Sequence, residues 1–292
     1  MKPAPFEYAR PSDLGEACAM LAAGDDARLI AGGQSLVPLM AMRLARPKRL
    51  IDIARISELA FVRQEHECVV IGATTRQCVL ECEGIVRTAV PLLAKVMPFI
   101  GHAAIRSRGT IGGSLANADP VAEIALVAVT LGATLLYRNG RVNAEIAASD
   151  FFVGPMMTAL PTTACLTAVR FPVWRDARIG VGFQEVSARG GDFALAAAAA
   201  QVALDEDGIC RRVALGVGAA ARPLRLDAAG SALEGTHAEE AHVREVVHTA
   251  LADIEPLSDL HASAEYRRRA AISLAVRAMA DAYRAAAGTH AR

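Results

Sequence analysis

Two glycine pairs, each followed by a hydroxyl residue, are the feature that most limits how this chain can fold. Residues 31–35 read AGGQS and residues 110–114 read TIGGS. Paired glycines let the backbone turn with positive φ and let a ligand approach without meeting a Cβ. Successive N–H groups in such turns point into one concavity that attracts anions, although Gly-Gly is also common in plain turns. Together the two segments favour a ligand with two phosphates, such as a dinucleotide cofactor.

Charge and hydropathy exclude two classes of partner. The 292 residues carry 31 Lys and Arg against 31 Asp and Glu, a formal net charge of +0. Nucleic-acid binders need a basic surface to neutralise phosphates, so no nucleic acid is expected. The longest apolar stretch, residues 121–137, is broken by Glu123 and Gly132. It is shorter than the roughly 20 residues of a membrane span, and the N-terminus has no signal-peptide core, so no membrane span is expected.

The six cysteines are scattered through the chain. This usage predicts free thiols in a reducing compartment, and we expect the protein to be cytoplasmic. Cys78 and Cys82 are one helical turn apart, but the chain has no spacing typical of an iron–sulfur cluster or a zinc site. We therefore expect no metal ligands and no catalytic side chain, and we expect a bound cofactor to supply the chemistry.

Hydrophobic periodicity predicts mixed helices and strands, and the length favours two domains. Ser12 is the expected N-cap of the first helix. The domain boundary is expected at residues 172–177. The predicted helices cover residues 11–23, 38–43, a segment capped by residues 72–75 that ends near 82, 85–96, 120–130, 238–252 and 264–286. The predicted strands cover residues 28–31, 49–53, 68–72, 134–137, 141–142, 165–171, 179–186 and 210–218.

The common phosphate-binding fingerprints, G-x-G-x-x-G and G-x-x-x-x-G-K-[ST], are absent, so a dinucleotide site must use another fold. Asp119 is expected to cap a helix that has Pro120 in its first position. Glu123 then either accepts a hydrogen bond from a ribose or ribityl hydroxyl or turns back as a capping residue. Arg106 and Arg108 flank the second glycine segment and either offset pyrophosphate charge or form a solvated surface pair.

Four segments in order along the chain resemble one family: residues 31–38 (AGGQSLVP), 105–120 (IRSRGTIGGSLANADP), 169–172 (VRFP) and 262–268 (ASAEYRR). They are similar to the FAD-binding medium subunit of molybdenum hydroxylases, the group of carbon monoxide dehydrogenase and xanthine dehydrogenase. The resemblance implies an α+β chain. An FAD-binding domain of the vanillyl-alcohol-oxidase (PCMH) type would cover residues 1–176, with subdomains of about 1–55 and 56–176. A small α+β domain of the CO dehydrogenase flavoprotein type would cover residues 177–292.

The same resemblance implies which residues contact FAD. Both glycine segments would hold the pyrophosphate, and Glu123 takes the place of an acidic residue that is usually Asp. Where many members have Tyr-x-Lys beside the flavin, this chain has Phe183, Gln184 and Glu185, and Phe193 stands where some have a Tyr covering the ring. The complete expected set is Leu29, Ile30, Ala31, Gly32, Gly33, Gln34, Ser35, Leu36, Ile100, Thr110, Ile111, Gly112, Gly113, Ser114, Asp119, Glu123, Leu166, Gln184 and Phe193.

The resemblance also implies a role. Substrate would be oxidised on a molybdopterin large subunit, and electrons would pass through the [2Fe–2S] clusters of a small subunit to FAD on this chain. NAD or a quinone would accept them. Two alternatives remain at this point: a stand-alone FAD-dependent oxidoreductase of the same fold, or a non-catalytic nucleotide-binding assembly module.

Overall fold

The first part of the chain forms a three-stranded parallel sheet. The computed structural model describes residues 2–24 and 26–288. In chain order the elements are β1 (Glu7–Ala9), α1 (Leu14–Ala23), β2 (Ala27–Ile30), α2 (Leu36–Ala41) and β3 (Arg49–Asp52). Strand β3 lies between β1 and β2, and both pairings are parallel. The carboxyl ends of all three strands, and the segments that follow them, therefore meet at one edge of this sheet.

Helix α1 confirms the predicted amphipathic helix but begins at a different residue. Its inward side chains recur at helical spacing and pack against β3. Asp13 is the N-cap, because its side chain accepts a hydrogen bond from the backbone N–H of Glu16 at 2.9 Å. Ser12, the predicted N-cap, instead donates its backbone N–H to the Glu16 carboxylate at 2.7 Å. Asp13 and Glu16 thus both accept backbone N–H groups at the start of this helix, as in a capping box.

The middle of the chain forms a five-stranded antiparallel sheet. The elements of this part are β4 (Val62–Glu65), β5 (Cys68–Gly72), α3 (Gln77–Cys82), α4 (Gly84–Ala89), α5 (Pro91–Val96), α6 (Ala103–Arg106), α7 (Ile111–Asn117), α8 (Glu123–Leu131), β6 (Thr134–Asn139), β7 (Val142–Ala147), α9 (Ala148–Phe151), β8 (Phe152–Gly154), β9 (Met157–Thr158) and β10 (Ala164–Pro172). The sheet has the order β4-β5-β10-β6-β7. Two short 3₁₀ turns, Ser57–Leu59 and Met97–Phe99, connect elements of this part. The largest hydrophobic core lies between this sheet and helices α5, α7 and α8.

Two helix predictions in this part were wrong in detail. The single helix predicted over residues 85–96 is two helices, since Val90, with φ −133° and ψ 60°, interrupts it. A residue before proline is disfavoured in the α region, and Pro91 follows it. Helix α8 begins at Glu123 with Ala122 as N-cap, so Asp119 is not the cap. The Asp119 side chain instead accepts the backbone N–H of Val121 at 3.1 Å, which closes a turn before the helix.

The last part of the chain packs one antiparallel sheet between two sets of helices. Its elements are β11 (Arg178–Ser187), β12 (Ala194–Leu204), β13 (Cys210–Gly218), β14 (Leu224–Arg225), α10 (Asp227–Leu233), α11 (Glu240–Ala250) and α12 (Ala264–Ala286). The strands follow the order β11-β12-β13-β14. Helix α12 packs against β11 and β12, and helices α5 and α8 of the preceding part contact the same sheet. Helix α10 was not predicted from the sequence.

The alanine run of β12 contributes to two cores in alternation. Ala196, Ala198 and Ala200 belong to the core that contains α12, whereas Ala197 and Ala199 belong to the core that contains α8. Successive side chains of a strand point to opposite faces, so each face of this strand meets a different layer. Methyl groups let helices approach both faces closely. This explains why the stretch is continuously apolar instead of alternating with polar residues.

Candidate functional site

A cavity of about 540 Å³ opens at the carboxyl edge of the first sheet. Its walls come from β1, from the segments after β2 and β3, from α2, and from two arginines of the second part. The lining residues are Tyr8, Ile30, Ala31, Gly32, Gly33, Gln34, Val37, Pro38, Asp52, Ala54, Arg76 and Arg108. Ligands of parallel sheets bind outside the carboxyl ends of the strands. The cavity is therefore the first candidate for a cofactor site.

The first glycine segment presents unpaired backbone donors to this cavity. The N–H groups of Gly32, Gly33, Gln34 and Ser35 donate no hydrogen bond to any residue in the described part of the chain. Gly33 has φ +72°, a conformation that favours glycine. Gly32 touches the neighbouring backbone, because a Cβ there would lie 2.3 Å from the carbonyl oxygen of Arg108. This geometry is that of an anion-binding turn.

The second glycine segment is the start of a helix and not the expected turn, and contact of residues 110–114 with FAD stays a prediction. Residues 111–114 form the first turn of α7, with Thr110 as N-cap. Their N–H groups all donate within the protein: Ile111 to the carbonyl of Thr75, Gly112 to that of Ala73, Gly113 to the Thr110 hydroxyl and Ser114 to the Thr110 carbonyl. None of residues 110–114 lines the cavity. Through these hydrogen bonds the segment holds the start of α7 against the residues that follow β5.

Two arginines on the cavity wall complete the set of donors. The Arg76 guanidinium donates to the backbone carbonyl of Arg108. The Arg108 guanidinium has no carboxylate and no hydrogen-bond acceptor among residues 2–24 and 26–288. Arg106 behaves differently, because it pairs with Glu81 at 3.0 Å and does not line the cavity. The sequence had left the roles of Arg106 and Arg108 open and gave no signal for Arg76.

A polar cluster that the sequence did not predict lies at the edge of the cavity. The Tyr8 hydroxyl donates to one carboxylate oxygen of Asp52, and the backbone N–H of Ala54 donates to the other at 2.9 Å. Arg10 lies 3.6 Å from the same carboxylate and donates to the Tyr8 hydroxyl at 3.0 Å. Asp52 therefore fixes the ends of β1 and β3 relative to one another. Its place as the last residue of a parallel strand was the only sequence signal for this role.

The remaining expected residues fall into three groups. Leu29, Ser35 and Leu36 flank the cavity segment without lining it. Ile100 and Leu166 are buried and belong to the same hydrophobic core as α8. Gln184 and Phe193 stand apart: Gln184 donates to Asp281 of α12 at 2.6 Å, and the Phe193 side chain is exposed. Because side chains alternate along β11, Gln184 and Glu185 point to opposite faces of the strand.

Glu185 and Glu123 form a half-buried, electrostatically coupled pair of carboxyl groups. Burial, with repulsion from the neighbouring Asp119 as a smaller cause, raises the pKa of Glu123 to about 7. Burial likewise raises the pKa of Glu185 to about 7, with repulsion from Glu123 as a second cause. One Glu185 oxygen, Oε2, is buried without a hydrogen-bond partner in the described part of the chain. Near neutral pH this pair is therefore only partly ionised.

We expect Glu185→Gln to raise the thermal unfolding midpoint of the FAD-free protein at pH 8 and to change it little at pH 5. Both native pKa values lie above the ordinary value of 4.5. The stability that the two protonated carboxyl groups contribute is therefore complete below about pH 4.5 and is lost as the pH rises through about 7. An uncharged amide removes the repulsion, for a gain of about 1 kcal/mol, or roughly 2–4 °C. Glu245→Gln, at an exposed position, is the control, and equal midpoints for Glu185→Gln and wild type at pH 8 would contradict the assignment.

The donor set fits the anionic centre of FAD. Unpaired N–H groups of three lining residues, Gly32, Gly33 and Gln34, and two guanidinium groups belong to one cavity. Asp52, whose oxygens are engaged by Tyr8 and Ala54, is its only lining carboxylate in the described part. Charge-assisted hydrogen bonds from guanidinium and backbone N–H groups are the strong interactions for phosphates. The site thus has the features of a protein that binds a phosphate-containing cofactor.

Comparison with known proteins identifies the family. A family model described as "FAD binding domain in molybdopterin dehydrogenase" matches residues 4–174, and one described as "CO dehydrogenase flavoprotein C-terminal domain" matches residues 182–282. The chain belongs to this family and is an FAD-binding medium subunit of the molybdenum hydroxylases. The suspected resemblance, the α+β two-domain FAD-binding fold, the oxidoreductase class and FAD as cofactor are thereby confirmed.

Several relatives resemble the chain over nearly its whole length. It is 34% identical to the 6-hydroxypseudooxynicotine dehydrogenase complex subunit alpha of Paenarthrobacter nicotinovorans, covering 97% of this chain and 96% of that protein. It is 35% identical to the carbon monoxide dehydrogenase medium chain of Afipia carboxidovorans, covering 93% and 94%. Among solved structures, carbon monoxide dehydrogenase from Hydrogenophaga pseudoflava matches with a TM-score of 0.92 at 34% identity, covering 97% of this chain and 99% of that one.

Three further observations concern the described residues only. In residues 2–24 and 26–288, no three His, Cys, Asp or Glu side chains are grouped so that they could hold a metal ion. Within the same ranges no helix has the length and hydropathy of a membrane span. All six cysteines lie there as free thiols.

Proposed function

We propose that this chain is the FAD-carrying electron-transfer subunit of a three-component molybdenum hydroxylase. It would receive electrons from [2Fe–2S] clusters on a small subunit, after substrate oxidation on a molybdopterin large subunit, and FAD would pass them to NAD or a quinone. The observation that carries the proposal is the cavity in which unpaired loop donors and two arginines converge. The names of relatives support it, since several are medium chains or subunits of dehydrogenase complexes.

The chain's own residues would bind and orient the cofactor. The Gly32–Ser35 donors face the phosphates, while Ile100 and Leu166 provide apolar contacts, and Glu123 meets hydroxyl groups. Residues 110–114 would lie close to the FAD pyrophosphate without donating backbone hydrogen bonds to it. We propose a domain division at residues 1–176 and 177–292, with subdomains of about 1–55 and 56–176, and a cytoplasmic location.

The proposal is tested by purifying the tagged full-length chain from its source organism. The expected preparation contains about one FAD per chain, together with two further chains that bring iron and molybdenum. Its flavin is reduced by a substrate of the large subunit and reoxidised by NAD or a quinone. Purification from an untagged strain is the control.

Two results would contradict the proposal in different ways. A flavin-loaded chain that oxidises a substrate without any partner would support a stand-alone flavoenzyme. A folded chain that takes up no FAD, alone or in a complex, would support a nucleotide-binding or assembly module and would also contradict the cofactor assignment.

A further inference from the structure

The lining of the cavity has an excess of positive charge that the protein itself does not neutralise. Arg76 and Arg108 both line it, and Asp52 is the only carboxylate of its described lining. That carboxylate already accepts the Tyr8 hydroxyl and the backbone N–H of Ala54, and Arg10 lies 3.6 Å away. Neither cavity arginine has an ion pair within residues 2–24 and 26–288. Unpaired guanidinium groups that share a cavity are suited to a polyanionic ligand.

The backbone around Arg108 fixes where its side chain starts. A Cβ on Gly32 would meet the Arg108 carbonyl at 2.3 Å, so the first glycine segment rests directly on this residue. The Arg76 guanidinium donates to the same carbonyl. The next residue is held as well, because the backbone N–H of Gln77 donates to the Gly109 carbonyl at 2.9 Å. The glycine loop, the Arg108 backbone and the Arg76 guanidinium are thus joined in one structural unit, from which the exposed Arg108 side chain extends.

We infer that Arg108 and Arg76 are diphosphate ligands that hold the FAD pyrophosphate against the Gly32–Ser35 segment. The inference rests on the proposed role as FAD carrier and adds a second class of donor to it. Phosphate oxygens would accept hydrogen bonds from the N–H groups of the loop and from the guanidinium groups. Since α7 offers no free N–H at residues 111–114, the second part of the chain would bind the phosphates through side chains.

We expect the two arginines to distinguish ligands that carry phosphates from ligands that carry none. Arg108→Gln is expected to weaken binding of FAD and of ADP by about tenfold to a hundredfold, the range for losing a hydrogen bond to a charged group. Binding of riboflavin, which has no phosphate, should change less than about twofold. Arg108→Lys should retain part of the affinity because it keeps the charge but not the forked donor.

Titration of the full-length FAD-free chain measures these affinities, with flavin fluorescence for FAD and riboflavin and calorimetry for ADP. Arg141→Gln, at an exposed residue that does not line the cavity, is the charge-matched control. Arg76→Gln is also expected to weaken FAD binding. Because Arg76 donates to the Arg108 carbonyl as well, this substitution can disturb the local structure, so the thermal unfolding midpoint of the variant is measured too. Added salt should weaken FAD binding less in Arg108→Gln than in wild type.

The outcomes separate this inference from the proposed function. Wild type that binds FAD, with Arg108→Gln and Arg76→Gln binding it equally well, would overturn the arginine assignment alone. Equal weakening of FAD and riboflavin would also overturn it, because the loss would then not concern the phosphates. Wild type that does not bind FAD at all would overturn both.

Discussion

Gly32→Ala is expected to yield a folded protein that is purified without FAD and binds it at least about 100-fold more weakly than wild type. The added Cβ would lie 2.3 Å from the Arg108 carbonyl oxygen and 2.9 Å from the Gly109 Cα. Both are backbone atoms of a segment that is itself hydrogen-bonded to residues 76 and 77, so neither can rotate away. The glycine loop must move outwards, which separates its N–H donors from the two arginines. FAD content after purification and fluorescence titration measure the loss.

Gly84→Ala is the matched control for this change. A Cβ at Gly84 meets no atom within 4 Å, and the residue lies in α4, where alanine is favoured over glycine. Its FAD affinity should equal that of wild type. A Gly32→Ala protein with wild-type FAD content would show that the cavity is not where the pyrophosphate binds.

Gly112→Val is expected to destabilise the fold itself, by about 3 kcal/mol or more. If residues 110–114 held the pyrophosphate, as the family resemblance implies, a side chain at Gly112 would collide with that group. In the structure Gly112 is buried, and its Cβ would lie 2.5 Å from the Cβ of Ala73 and 2.7 Å from the Ala73 carbonyl oxygen. That carbonyl also accepts the Gly112 N–H at 2.9 Å. A larger residue would push α7 away from the segment after β5, so FAD would be lost because its support unfolds.

Thermal unfolding of the FAD-free protein distinguishes the two explanations. Gly112→Val should lower the midpoint even without cofactor, and Gly112→Ala should lower it less. Gly154→Ala, whose Cβ would meet only ordinary contacts at 3.8 Å or more, should leave it unchanged. If the FAD-free variant unfolds like FAD-free wild type but fails to bind FAD, the original explanation of a direct clash would be restored.

Strands β5, β10 and β13 were predictable from sequence because their signal is local. Residues 68–72, 165–171 and 210–218 lie in apolar runs of strand length, and β5, β10 and β13 form there. The first glycine segment was predictable for the same reason, since it directly follows a short strand. The family resemblance then supplied the cofactor and the two-domain fold, which periodicity alone could not provide.

The parts that could not be predicted depend on long-range contacts. Thr110 as an N-cap was a signal that Gly112 and Gly113 begin a helix, but a glycine pair is equally typical of a turn. Whether Arg106 or Arg108 faced the cavity depended on the carboxylate of Glu81, which only the folded chain brings within 3.0 Å of Arg106. Arg76 lies at the site because its backbone forms an antiparallel bridge with Thr110. A local sequence pattern does not predict such a bridge.

The alternating alanines of β12 bear on how the halves of this protein can move. One face of β12 packs in the core that contains α8, and the other face packs in the core that contains α12. If β12 moved together with one core, its other face would be exposed to water. Hinge bending between the halves would expose a methyl-lined surface, at a cost that grows with the area uncovered. We therefore expect this sheet to hold the layer of α8 and the layer of α12 at a constant separation.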